Sequence, residues 1–145
     1  MAHDRSATGY FFEDLDEGMS AAFTKTVTAD DIVKYADISG DTNPVHLDAD
    51  YAATTMFKER IAHGMLTAGF ISAAFGTKLP GPGSIYVNQS LKFKAPVKIG
   101  ATVTATVTVT GKVPEKKFVI FSTVCTVNDK PVLEGVATLM VPSKG

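Results

Sequence analysis

The chain has 145 residues, 45% hydrophobic and 20% charged, with a net charge of −1. That length favours one domain with a hydrophobic core, and the balance of residues excludes a disordered chain. The near-neutral charge gives no electrostatic case for nucleic acid or an anionic membrane, and no stretch reaches the roughly 18 apolar residues a membrane span requires.

Cys125 is the only cysteine, which rules out an intrachain disulfide and a cysteine metal cluster. It sits in an alternating apolar stretch and reads as a buried, inert thiol. The first ten residues lack the apolar core and cleavage pattern of a signal peptide, so the expected location is the cytoplasm. Residues 1–19 read as a polar and aromatic surface lead-in, with His3 exposed.

A short strand is predicted over Ala21 to Val27. Thr28-Ala29-Asp30-Asp31 then reads as an N-cap with an acidic first turn, a capping box with Asp in place of Glu. The helix it opens presents Ile32, Val33, Ala36 and Ile38 as apolar positions and ends near Gly40. A second, shorter helix is predicted over Tyr51 to Met56, capped by Asp48. Between Gly64 and Gly76 no residue is charged. A helix there is apolar or small all round, which predicts burial on every side. Leu79-Pro80-Gly81-Pro82-Gly83 ends it.

The period then changes from 3.6 to 2. Ile85, Val87, Leu91 and Phe93 form one apolar face, with Gln89 as its polar member. Val103, Ala105, Val107 and Val109 alternate with threonines, the pattern of a strand with one buried face. Two more strands, Phe118 to Val127 and Val132 to Val141, meet at the turn Asn128-Asp129-Lys130. Helices first and long antiparallel strands last predict an α+β domain in which the sheet wraps the apolar helix. One helix covers only one face of such a sheet, so a dimer joining two sheets edge to edge is expected.

Chemistry concentrates in Gly40-Asp41-Thr42-Asn43-Pro44-Val45-His46. Pro44 forbids helix at its predecessor, and the resulting turn aims Asp41 and His46 at one small volume. Asp and Asn before Pro are also common turn formers, so a purely structural reading stays open. His63 adjoins the start of the apolar helix, where it acts at the site or holds the loop. Gly64 opens that helix, where it either serves tight packing alone or lets a ligand approach the free N–H groups and dipole, which favour a developing oxyanion. Asp41, His46, Asp48 and His63 carry no metal-binding spacing, and no glycine-rich phosphate loop is present. No metal and no cofactor is expected.

Asp41-x-Asn43-Pro44-x-His46-x-Asp48, then Tyr51-Ala52-x-x-Thr55-x-Phe57 and Ile61-Ala62-His63-Gly64-Met65-Leu66, resemble the MaoC-like hydratase family, specifically its small (R)-specific enoyl-CoA hydratases. Leu79-Pro80-Gly81-x-Gly83-Ser84-Ile85-Tyr86 and Gln89-Ser90-Leu91-x-Phe93-x-x-Pro96-Val97 extend the resemblance, which spans about residues 20–142 of a single domain. It implies a hot-dog fold, an antiparallel sheet wrapped round a long central helix, and a homodimer. It implies reversible, metal-free hydration of a trans-2-enoyl thioester of coenzyme A to the (R)-3-hydroxyacyl thioester. Asp41 and His46 would be the catalytic pair and the Gly64 amide would bind the thioester carbonyl. Asn43 and Ser72 would support the site. Phe75, one turn past Ser72 and expected on roughly the same face, would shorten the acyl pocket.

Lys92, Lys94 and Lys98 are candidates for the coenzyme phosphates or a solvated strand face. Competing readings are an acyl-carrier-protein dehydratase of fatty acid synthesis, which would use the same pair, and a non-catalytic acyl-thioester-binding protein, which has no need of both Asp41 and His46. A thioesterase is disfavoured, because Gly64 to Gly76 holds no carboxylate or amide.

Overall fold

The computed structural model describes residues 4–145; His3 lies outside them. Strands β1 (Ser20–Thr26), β2 (Ile85–Gln89), β3 (Lys92–Phe93), β4 (Thr102–Val113), β5 (Phe118–Val127) and β6 (Lys130–Met140) form one antiparallel sheet. Its order is β1-β4-β5-β6-β2, with β3 also on β6. Helices α1 (Ala29–Ser39), α2 (Pro44–Leu47), α3 (Ala49–Ala53) and α4 (Gly64–Thr77) complete the domain. No described helix is long and apolar enough to cross a membrane.

The alternation in β4 works as the sequence predicts: Val103, Ala105, Val107 and Val109 are buried. They face α4, which packs against β1, β4 and β5. Phe75 of α4 meets Phe121 of β5 edge-on, with ring centroids 4.8 Å apart. Register shifts at Val109/Gly111 and at Cys125/Thr126 mark irregularities in the ladder; such bulges bend strands and increase twist, which lets the sheet curve round the helix. The β5–β6 connection places Asn128 and Asp129 at positive φ, the conformation that a tight hairpin turn requires.

Four expectations need correction. Residues 1–19 are not merely a surface lead-in: Phe12 and Leu15 are in the core. Phe12 N–H donates to the Pro142 carbonyl, and Lys112 lies over the Phe12 ring at 4.3 Å. In α1 only Ile32 and Ala36 are buried, while Val33 and Ile38 are exposed. The helix predicted over Tyr51 to Met56 is α3, which begins at Ala49 directly after its Asp48 cap and ends at Ala53, and the unpredicted α2 precedes it.

The fourth correction concerns burial at the sheet edge and on α4. The predicted strand from Ile85 to Phe93 is two strands, β2 and β3, and Ile85, Val87 and Phe93 are exposed rather than core. Ser90 crosses tightly over Gly135, where a Cβ would come within 1.8 Å of the Ser90 oxygen. The helix α4 is not buried all round: Met65, Gly69, Ser72 and Gly76 form an exposed stripe. Phe75 is buried, so it does not share a face with Ser72. An all-apolar helix has no sequence signal for which side a sheet will cover.

Candidate active site

The site is built where the α1–α2 connection meets the start of α4. α1 ends at Gly40 in the left-handed conformation, and the chain turns through Asp41. The Asn43 amide donates to Asp41 Oδ1 at 3.2 Å, and Asn43 Oδ1 accepts from the Val45 amide at 3.1 Å. Asn43 thus caps α2 while Pro44 takes its first position, where a missing N–H does no harm. This places His46 in the only full turn of α2, buried at 8% exposure.

His46 Nδ1 lies 2.8 Å from the Ile61 carbonyl. A carbonyl can only accept, so Nδ1 carries the proton and Nε2 keeps a lone pair. The Arg60 guanidinium donates to the His46 carbonyl at 2.7 Å and fixes the backbone behind it. Burial pushes the His46 imidazole below its ordinary value; the Ile61 carbonyl opposes this, neighbouring His63 adds to it, and Asp41 opposes it. The ring is therefore neutral at neutral pH.

His63 precedes α4. Its Nε2 donates to the Asp41 carbonyl at 2.9 Å, and its ring stacks on His46 at 3.8 Å and meets Tyr35 at 4.7 Å. No side chain caps α4, so the first amides, Gly64 among them, lack intrahelical partners. A cleft of about 620 Å³ is lined by Asp41, His46, His63, Gly64 and Thr67 on its polar side. That volume suits a small-molecule ligand. Phe93 packs so closely on Gly64 that a Cβ there would stand 2.6 Å from its ring.

One carboxylate oxygen of Asp41 and one nitrogen each of His46 and His63 lie within 4.8 Å of one another. The stack opposes a shared metal ion. Rings tilted by only 28° at 3.8 Å cannot both aim in-plane lone pairs at one ion about 2 Å from each nitrogen. The arrangement instead suits a small polar molecule held between a carboxylate and an imidazole.

Asp41, His46 and Gly64 meet at the cleft. Asn43 stands behind Asp41 as a cap, and Ser72 and Phe75 lie farther along α4, away from the cleft wall. Lys94 and Lys98 sit 3.5 Å from Glu134 and Glu59, and Lys92 is exposed on β3. Sequence reasoning missed Thr67, Tyr35 and Phe93. Thr67 had a signal: it is four residues after His63 and so on the same side of the helix. Cys125 is buried, which pushes its thiol up to about 12.

An antiparallel sheet round one central helix, with a carboxylate and an imidazole set near that helix's N-terminus, defines a hot-dog domain. The MaoC like domain profile matches residues 12–133. The chain is 68% identical over 136 residues to the (R)-specific enoyl-CoA hydratase of Rhodospirillum rubrum, covering 94% of each chain. It is 46% identical over 134 residues to the 3-hydroxybutyryl-CoA dehydratase of Methylorubrum extorquens, covering 92% of this chain and 85% of that one. The R-hydratase PhaJ1 of Pseudomonas aeruginosa superposes with a TM-score of 0.89 at 45% identity, over 94% of this chain and 88% of that one. The chain belongs to the MaoC-like family.

Proposed function

We propose that the chain is an (R)-specific enoyl-CoA hydratase, a hydro-lyase that adds water reversibly to a trans-2-enoyl-CoA to give the (R)-3-hydroxyacyl-CoA. The observation that carries this reading is the approach of Asp41 and a neutral His46 at a cleft that also holds the Gly64 amide. The relatives named above are hydratases and dehydratases of this type, which supports it.

Water has two O–H donors, and the site offers two acceptors: the Asp41 carboxylate and His46 Nε2. A water held by both presents its oxygen to Cβ of the enoyl chain. The C–O bond forms as one acceptor takes a proton, and the π electrons move onto the thioester oxygen. The Gly64 amide and the α4 dipole meet that charge. The proton then passes to Cα, and the enzyme returns to its starting state. No metal or redox partner is needed for this balance.

Asn43 serves by fixing the Asp41 turn. The acyl chain runs from the cleft along α4, where Phe75, edge-on to Phe121 and Tyr86 beyond the cleft wall, sets a short pocket; Ser72 lies on the exposed stripe of α4 and does not line the cleft. Good turnover of an eight-carbon chain would count against that limit. The active form is a homodimer. β2 ends the sheet, and exposed Ile85, Val87, Val136 and Met140 lie on β2 and β6 beside it. Sedimentation at twice the protomer mass supports the homodimer, and its loss in Val87→Asp supports pairing through this edge; a monomer that turns over fully opposes both. Cytoplasmic residence fits a lone, buried free thiol.

The test is loss of crotonyl-CoA enoyl absorbance. Wild type should consume it and yield the (R) product, while Asp41→Ala and His46→Ala lose on the order of 10²–10⁴ in rate. Full activity in either variant overturns the assignment; tight binding without turnover in wild type points to a binding role.

A further inference from the structure

We propose that Thr67 and His63 form a positioning pair for the catalytic residues: the Thr67 hydroxyl, after a small side-chain shift or across one water, donates to His63 Nδ1, and the tautomer so fixed lets His63 Nε2–H hold the Asp41 carbonyl. The inference rests on the reading above, in which Asp41 and His46 perform the chemistry.

Two observations meet here. His63 and Thr67 are only 2% and 3% exposed. Among the described residues, His63 Nδ1 and Thr67 Oγ1 are the two buried side-chain polar atoms without a hydrogen-bond partner. Their chemistry is complementary. The contact with Asp41 places the proton on Nε2, which leaves Nδ1 as an acceptor, and a hydroxyl can donate. The residues are one turn apart, the Thr67 amide bonds to the His63 carbonyl, and both border the cleft. Unpaired buried polar atoms are destabilising, so pairing these two removes both penalties.

The consequence falls on the site. Asp41 is exposed, and its other backbone anchor is the contact of its amide with Ser39 Oγ at 3.1 Å. A proton moved to His63 Nδ1 would turn the donor facing Asp41 into an acceptor and release the turn. His63 also backs the His46 ring. The groups facing His46 are Asp41 from the turn, His63 from the start of α4 and Arg60 on its carbonyl, with Tyr35 of α1 behind His63. Replacing the His63 imidazole by an uncharged ring removes a neighbour that lowers His46 and leaves Asp41 to draw a proton onto it.

The experiment combines ¹⁵N spectra of the histidine side chains with crotonyl-CoA kinetics. Wild type should show His63 protonated at Nε2, with an unprotonated Nδ1 whose ¹⁵N shift is that of a hydrogen-bond acceptor. Thr67→Val keeps the shape and removes the hydroxyl; it should mix the tautomers and lower kcat about 10-fold or more, with KM changed less than about twofold. Thr67→Ser should restore both. His63→Phe keeps a stacked ring and should move the acid limb of the pH–rate profile upward. A wild-type proton on Nδ1, or a Thr67→Val protein with wild-type spectrum and kcat, overturns the pair. If Thr67→Val fails to fold, the wild-type spectrum decides alone. Failure of the hydratase reading leaves a different mark: no turnover in wild type, with the His63 tautomer as stated.

Discussion

The β4–β5–β6 sheet and the segment from Gly40 to Gly64 are held together by different means. The sheet is a continuous ladder with a buried face of Val, Ala, Phe and Leu. Its cohesion is spread over many apolar contacts, none of them individually specific. The segment buries little apolar surface. Its geometry depends on single hydrogen bonds to backbone carbonyls: His46 to Ile61, His63 to Asp41 and Arg60 to His46. On the proposed mechanism the sheet carries stability and the segment carries chemistry, the division expected when reactive groups sit on loops over a rigid scaffold. Substitutions in one region should move the unfolding midpoint, and substitutions in the other should move kcat.

The largest expected effect is at Asp41. Asp41→Asn keeps an oxygen for the Asn43 amide and removes the carboxylate base. Its kcat should fall by on the order of 10²–10⁴ while its melting curve overlays wild type. A large drop in midpoint would mean the turn is structural and would erase the contrast. Next is Phe121→Ala. Phe121 is fully buried beneath α4, and its loss should cost about 3–5 kcal/mol by denaturant unfolding. The folded fraction should keep near-wild-type kcat; a kcat loss as large as that of Asp41→Asn would show that sheet and site are not separable. Gly135→Ala should come third. Its methyl group would meet the Ser90 backbone oxygen, and such overpacking costs about 1–3 kcal/mol. A midpoint within error of wild type would show that the β2–β3 crossing yields easily.

The same contrast governs what could be read in advance. Period 2 in Val103 to Val109 and the Asn128-Asp129 turn are local properties, and the structure follows them. Asp41 and His46 were also visible as a pair, because they lie within one six-residue stretch; Gly64 comes 18 residues after His46 and meets them only through the fold. Ile85 and Val87 mislead, since an exposed edge strand with apolar residues has the same pattern as a strand in the core. The stripe Met65, Gly69, Ser72 and Gly76 was hidden for a related reason: small residues permit either burial or exposure. Phe12 and Leu15 reach the core through contacts with the far end of the chain, which no local pattern announces. The stacking of His63 on His46 joins residues separated by α3 and a loop. It depends on the Ile61 carbonyl arriving beside His46, a tertiary event without a sequence signature.

The smallest expected effect concerns pH, and it joins the two regions. Burial holds the His46 imidazole below its ordinary value of 6.5 in the folded protein, while the unfolded chain titrates near about 6.5. Between those two values the unfolded state binds more protons, so stability falls as pH falls. The contribution is present in full above about 6.5 and is lost as pH drops through the folded value. The carboxylates Asp14 and Asp31, also held low, act in the same direction only nearer their ordinary value of 3.8. Melting midpoints from about pH 7.5 to 5 therefore isolate the histidine step. His46→Gln should flatten the slope in that window, and the wild-type acid limb of kcat/KM should lie below about 6.5. An acid limb above that value, or an unchanged slope in His46→Gln, would place His46 outside the low-dielectric pocket that this geometry gives it. The residue would then belong with the solvated loops rather than with a site that borrows burial from the sheet to keep its imidazole neutral.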